Sequence, residues 1–225
     1  MMFMHYFRRP DTSRPPLLLF DYDGVIADSL EVYLEEFFAI CTELGIERIN
    51  SREAFLRLFD GNLVTQLIRS GFPLRKLRAL AMQYAPRMEI VAARVQPFPG
   101  VLETVNRLSR CHPAMIITSN SSGIVGRFVE CYGLGHIRGI IGAEEETSKV
   151  KKIRAARRRY PDYCPYYIGD TRGDIIEARR AGAIPVAAAW GWHDAGRLRE
   201  AKPRYVLETH LDLLALFDSG PHTGE

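Results

Sequence analysis

Two carboxylates two positions apart, Asp21 and Asp23, close an unbroken apolar run, Leu17-Leu18-Leu19-Phe20, and Gly24 follows at once. A short apolar run ended by turn residues reads as a buried strand, here a parallel one. Ligands of open α/β sheets bind beyond the carboxyl ends of the strands. Both acids are therefore placed to act on something bound there, and Gly24 lets the backbone turn sharply or approach it closely. Taken alone, Asp-x-Asp-Gly is equally an acidic surface turn. Three further sites add to it in order along the chain. Thr118-Ser119-Asn120 follows Met115-Ile116-Ile117. Lys149 opens a helical pattern just after Glu144-Glu145-Glu146. Gly169-Asp170-Thr171-Arg172-Gly173-Asp174 follows Tyr166-Tyr167-Ile168. Each has a plain explanation: a helix cap at Thr118 or Ser119, a solvated lysine, an N-cap at Asp174. Their occurrence together favours a single shared site.

The elements that must position these residues alternate. After the turn Gln96-Pro97-Phe98-Pro99-Gly100, the patterns give a helix over 101–110, a strand over 114–118, a helix over 123–132 and a short strand over 137–141. A helix over 150–160, a strand over 165–168 and a helix over 174–181 come next, then strands over 184–190 and 205–207 and a closing helix over 211–217. Alternation of this kind implies a mostly parallel, doubly wound sheet with helices on both faces. Residues 29–96 show only helical patterns. Asp28 and Glu31 resemble a capping box opening the first, and Leu30, Leu34, Phe37, Phe38, Cys41 and Leu44 follow at helical spacing up to Gly45. Further helices are expected over 52–59, 63–69 and 73–92, with Pro73 in a first turn and Pro86 kinking or splitting the last. The organisation expected is an α/β core from residues 1–28 and 97–225, with an all-helical insertion over 29–96.

With these motifs in place the chain resembles the haloacid dehalogenase superfamily, in particular its phosphoglycolate phosphatase and β-phosphoglucomutase-like members. The first motif of that family stands here as Asp21-Tyr22-Asp23-Gly24-Val25-Ile26-Ala27-Asp28-Ser29. The second is matched by Thr118, the third by Lys149, and the fourth, Gly-Asp-x-x-x-Asp, by Gly169-Asp170 and Asp174. Lys151 and Lys152 lie close enough to Lys149 to compete for the third. Pro97-Phe98-Pro99-Gly100-Val101 resembles the return from cap to core. The resemblance spans Leu17 to Phe217 and is weakest in the helical insertion.

The resemblance implies a Rossmann-like core with a helical cap, and Mg²⁺-dependent hydrolysis of a small phosphate monoester through an aspartyl-phosphate. A dianionic phosphate monoester repels an anionic nucleophile; a hard cation with oxygen ligands relieves that repulsion. The implied nucleophile is Asp21, and the implied general acid and base is Asp23. The implied metal set is Asp21, Asp23 through its backbone carbonyl, Asp170 and Asp174, with Asp174 orienting Lys149 or metal-bound water. Thr118, Ser119, Asn120 and Lys149 would receive the phosphoryl oxygens. A sugar-phosphate mutase is the alternative within this chemistry. A receiver domain is disfavoured by Asp23 and the long insertion, a non-catalytic binding module by the intact acidic set, and a dehalogenase by Asp23, since a halide needs no proton.

Composition sets the frame. A net charge of +3 with scattered Arg argues against a nucleic-acid groove. The chain shows no apolar stretch long enough to span a bilayer, and Met1–Pro16 reads as a frayed lead-in, not a secretory signal. Cys41, Cys111, Cys131 and Cys164 are far apart, which fits a cytoplasmic protein with reduced thiols. His5, His112, His136, His193, His210 and His222 show no metal spacing. The basic run from Lys149 to Arg159 reads most simply as a solvated helix face, and Trp190-Gly191-Trp192-His193 either lines the site or packs beside it. Arg52, Arg57, Asn62, Gln66, Arg69 and Arg75 are the cap's candidate anion contacts.

Overall fold

The computed structural model describes residues 14–218. Most of the expected lead-in, together with His5 and His222, lies outside them. The elements in chain order are β1 (Pro16–Phe20), β2 (Ala27–Asp28), α1 (Leu30–Glu43), α2 (Arg52–Leu56), α3 (Leu63–Arg69), α4 (Leu74–Val91), β3 (Gln96–Pro97), α5 (Val101–Cys111), β4 (Ala114–Ile117) and α6 (Ser122–Cys131). They continue with β5 (Ile140–Ile141), α7 (Lys149–Arg159), β6 (Cys164–Gly169), α8 (Arg172–Ala181), β7 (Ile184–Ala188), α9 (Ala195–Glu200), β8 (Tyr205–Leu207) and α10 (Asp212–Phe217).

Six strands form one sheet in the order β5-β4-β1-β6-β7-β8, and every pairing in it is parallel. The central strand β1 explains why. Leu17, Leu18, Leu19 and Phe20 are all fully buried. Leu18 and Phe20 join the core shared with the helical insertion, whereas Leu17 and Leu19 join a second cluster with Met115, Ile117 and Ile153. A strand covered on both faces needs apolar residues at every position, not at alternate ones. Each such side chain contributes roughly 1.5–3 kcal/mol by leaving water, so the middle of the sheet is the stable platform of the site. The order reverses around β1, and Asp21 emerges at that switch point.

Between the two-residue strands β2 and β3, every described element of the insertion is a helix, as its pattern predicted. Strand β2 pairs antiparallel with β3, Ala27 opposite Pro97 and Asp28 opposite Gln96. Two expectations are corrected here. Asp28 is held in the pairing and does not cap α1; the N-cap position is Ser29, whose side chain makes no capping bond. Pro86 does not split α4, which runs unbroken from Leu74 to Val91. Met82 and Pro86 both lie on the exposed face, where a carbonyl that loses its helix partner to a proline can turn to water. Elsewhere the differences are of extent: β5 keeps only the end of its expected span, and α9 answers to no expected element. None of the described helices is long and apolar enough to cross a membrane.

Candidate active site

Asp21 leaves the end of β1 with its N–H donating to the Ile168 carbonyl, 2.8 Å away. Its side chain is pinned on both oxygens, Oδ1 by the N–H of Tyr22 at 2.8 Å and Oδ2 by Lys149 Nζ at 2.7 Å. Lys149 also donates to Asp174 Oδ1 at 2.5 Å. Asp174 is fixed in turn by a capping box at the start of α8: its Oδ2 accepts from the N–H and hydroxyl of Thr171, at 3.1 and 2.6 Å. Asp174 thus serves as the N3 member of the cap; the N-cap itself is Thr171. Asp170, at the end of β6, takes the N–H of Trp192 on Oδ2 at 2.8 Å, while its buried Oδ1 has no hydrogen-bond partner.

Asp21, Asp170 and Asp174 each offer a carboxylate oxygen, all within 4.8 Å of one another, and all three residues are buried. Three buried acids share one lysine in a poorly solvated site. Burial pushes the Asp21 carboxyl up to about 7, with Lys149 opposing and Asp174 adding to the shift. Burial, then the charges of Asp174 and Asp21, hold Asp170 well above the usual carboxylate range. Asp174 goes the other way: burial raises it, but the charge and hydrogen bond of Lys149 and those of Thr171 bring it below its usual value. Lys149, although burial works against its charge, is held well above its usual value by Asp174 and Asp21. An all-oxygen donor set with an unpartnered buried oxygen fits a hard divalent cation, which would replace the protons that Asp21 and Asp170 otherwise retain.

Asp23 stands apart. Its side chain is outside the triad, and its Oδ2 accepts from Asn120 Nδ2 at 3.3 Å, while the same amide donates to the Tyr33 hydroxyl at 2.6 Å. Its Oδ1 is buried without a partner, as is the Ser29 hydroxyl. Burial lifts Asp23 to about 6, against hydrogen bonds that lower it. Asn120, expected as a phosphate contact, therefore spends its side-chain amide on the acid. Thr118 is fully buried at the end of β4, and its Oγ1 accepts the N–H of Asn120 at 2.9 Å. Ser119 is exposed at the rim.

Two glycines are required by space. Gly24 has φ +74°, and a Cβ there would collide with the Asp170 carboxylate and the Trp192 ring. A Cβ on Gly191 would meet the Gly24 carbonyl and Asp170. The run Trp190-Gly191-Trp192-His193 belongs to the site. Trp190 Nε1 donates to the Val25 carbonyl at 3.1 Å. The Trp192 ring meets Phe59 edge-on, 4.8 Å between centroids, with Phe55 and Tyr33 beyond.

Two contacts join the insertion to the core, one through His193 of the run already singled out and one through Arg197, which sequence reasoning missed. His193 Nδ1 accepts the Arg172 N–H at 3.0 Å, which fixes the ring's proton on Nε2, where it is donated to the Leu56 carbonyl at 2.9 Å. Arg197 of α9 grips Asp60 through Nε and Nη2, each at 2.8 Å. The expected anion contacts of the insertion do not converge on the acids. Arg52 pairs with Glu31, Arg57 with Glu53, and Asn62 caps α3, while Arg69 and Arg75 are exposed and Gln66 lies in α3. The inner surface is instead aromatic, Tyr33 and Phe59 above all. A tyrosine on the buried face of an amphipathic helix was the available signal.

Residues 18–189 match the profile of the haloacid dehalogenase-like hydrolases. A phosphoglycolate phosphatase of Synechococcus elongatus is 30% identical over 204 residues, 88% of this chain and 94% of its own length. The pyrophosphatase PpaX of Listeria monocytogenes is 22% identical, covering 91% of this chain and 97% of its own length. In structure, a haloacid dehalogenase-like hydrolase of Streptococcus pneumoniae superposes with a TM-score of 0.77 over 89% of this chain and 97% of the other, at 23% identity. That likeness concerns the fold.

Proposed function

The chain belongs to the haloacid dehalogenase-like hydrolases, and from that membership we propose that it hydrolyses a small phosphate monoester through an aspartyl-phosphate on Asp21, with Mg²⁺ as its metal. Phosphoglycolate leads the substrate panel, because a phosphoglycolate phosphatase is the 30% identical relative. The observation that carries the reading is the convergence of Asp21, Asp170 and Asp174 on one point with Lys149 bonded to two of them. In this reading Asp21 and Asp170 hold the metal with the backbone of Asp23. When bound, Mg²⁺ offsets the charge that would otherwise keep an anionic nucleophile from a phosphate dianion.

The remaining roles fall to the chain's own side chains. Lys149 holds Asp21 Oδ2 and balances charge on the phosphoryl oxygens. Asp174 keeps Lys149 in place. Asp23, with its pKa lifted to about 6 by burial, carries a proton near neutral pH more readily than an exposed carboxylate, and gives it to the leaving alkoxide. It then takes a proton from the water that attacks the aspartyl-phosphate. Asn120 and Tyr33 orient Asp23 for both steps. Residues 29–96 act as the cap, swinging on the β2–β3 ribbon to admit substrate and closing to exclude water. The setting proposed is cytoplasmic.

The test is turnover on a panel of sugar and organic-acid phosphates, phosphoglycolate included, with Mg²⁺ and with chelator, in wild type and Asp21→Asn. Turnover that needs Mg²⁺ and is lost in Asp21→Asn, with the phosphoryl group trapped on the Asp21 peptide after acid quench, supports the reading. Activity indifferent to chelator, or retained by Asp21→Asn, refutes it.

A further inference from the structure

Two lysines of α7 point inward, one turn apart. Lys149 belongs to the acids. Lys152 is 1% exposed, and its Nζ donates to the backbone carbonyl oxygen of Thr118. Among the described residues no carboxylate lies within ion-pair distance of it. Burying a cation without a counter-charge is costly, and here one carbonyl is what it holds.

That carbonyl belongs to the peptide joining Thr118 to Ser119. In a planar trans peptide the C=O and the N–H point in opposite directions. A carbonyl drawn back to Lys152 therefore sends the Ser119 N–H away from α7. No acceptor takes that N–H among the described residues, whereas the next two are engaged, Asn120 N by Thr118 Oγ1 and Ser121 N by Asn120 Oδ1. One donor at the end of β4, beside Asp21, is left open. We propose that Lys152 is a positioning residue that locks the 118–119 peptide so that the Ser119 N–H faces the transferring phosphoryl group. The proposal rests on the phosphoryl-transfer reading above. With the lock released, the peptide is free to turn and present its carbonyl, an acceptor, to the phosphoryl oxygens.

Burial, then repulsion from Lys149, lowers the Lys152 ammonium to about 8, against the opposing charges of Asp21, Glu144 and Glu145, and Glu177 of α8 also feels its charge. Its charged form, the stronger donor, is thus lost as pH rises through about 8.

The experiment compares wild type, Lys152→Met and Lys152→Arg in the Mg²⁺-loaded enzyme. It reads kcat and KM against pH, and the affinity for orthovanadate, a mimic of the transferring group, by calorimetry. Loss of a single oxyanion donor costs roughly 10²–10³-fold in kcat, so partial loss of its orientation predicts a fall of about 10–100-fold in Lys152→Met. KM should stay nearly unchanged and vanadate affinity should weaken in parallel with kcat. Lys152→Arg, charged throughout, should retain most activity and lose the decline near pH 8. Equal vanadate affinity in wild type and Lys152→Met, or an unchanged kcat, would overturn the proposal. If Lys152→Met fails to fold, identical alkaline limbs for wild type and Lys152→Arg overturn it. A wild type whose vanadate affinity depends on Lys152 but which turns over no monoester would sink the hydrolase reading alone.

Discussion

With residues 29–96 acting as the cap proposed above, the grip of Arg197 on Asp60 should set how tightly it stays closed. The guanidinium spans both carboxylate oxygens at 2.8 Å, and the two side chains are 15% and 20% exposed. Charge-assisted hydrogen bonds are worth about 1.5–3 kcal/mol each when sheltered, and partial exposure reduces that. A working figure for the pair is about 2 kcal/mol, close to a 30-fold change in the closed-to-open ratio. Asp60→Asn keeps the shape and removes the charge. The reporter is Trp192, which sits between Phe59 and Phe55 where cap meets core. In a Trp190→Phe background it is the chain's one remaining tryptophan. Asp60→Asn should shift its emission to the red and raise its quenching by acrylamide, and KM should rise. A double-mutant cycle with Arg197→Met should give a coupling of the same size. Unchanged quenching in both single variants, or a coupling near zero, would refute the latch.

Further outcomes follow from the site itself. Metal affinity, read by calorimetry, should weaken as pH falls below about 7, because Asp21 retains its proton up to about 7 and must lose it on binding; a pH-independent affinity would contradict the assignment. Asp23→Asn should slow aspartyl-phosphate formation from alkyl phosphates by ~10²–10⁴-fold and from activated aryl phosphates far less, and equal losses in pre-steady-state bursts would reject Asp23 as the acid. Gly191→Ala, which drives a methyl group into Asp170 and the Gly24 carbonyl, should cost about 1–3 kcal/mol in denaturant melts and weaken metal binding; a wild-type melt would show that the turn has room.

What was legible in the sequence is what is local. The strands carrying Asp21, Thr118 and Asp170 announce themselves because both faces of the sheet are covered, and continuous apolar runs result. Strand β5 was expected over 137–141 and keeps only two residues, so its extent was not legible, and α9, six residues long, is too short for any period to declare itself. Lys149 and Lys152 share a helical face, so spacing alone left the third motif open; only the three-dimensional register sends one to the acids and the other to a carbonyl. Tyr33 and Arg197 escaped notice, and His193 was read only as part of a run beside the site, because their roles depend on where the insertion rests upon the core, a contact between segments more than a hundred residues apart for His193 and Arg197. Asp28 misled for a related reason: a local capping signal lost to a pairing with Gln96.

The two-residue ribbon of β2 and β3 also bears on how such a molecule can change over evolutionary time. Because the chain leaves for the cap at Asp28 and returns at Gln96, side by side, whatever lies between them is topologically a side loop. Lengthening it costs little closure entropy once its ends are clamped, since that cost grows only with the logarithm of length. The six-stranded sheet is completed without it. Selection can therefore rewrite the segment proposed to cover the site, even exchange it wholesale, while the acids and lysines below keep their register. A graft of an unrelated helical module between Asp28 and Gln96 is the corresponding engineering route to a new substrate.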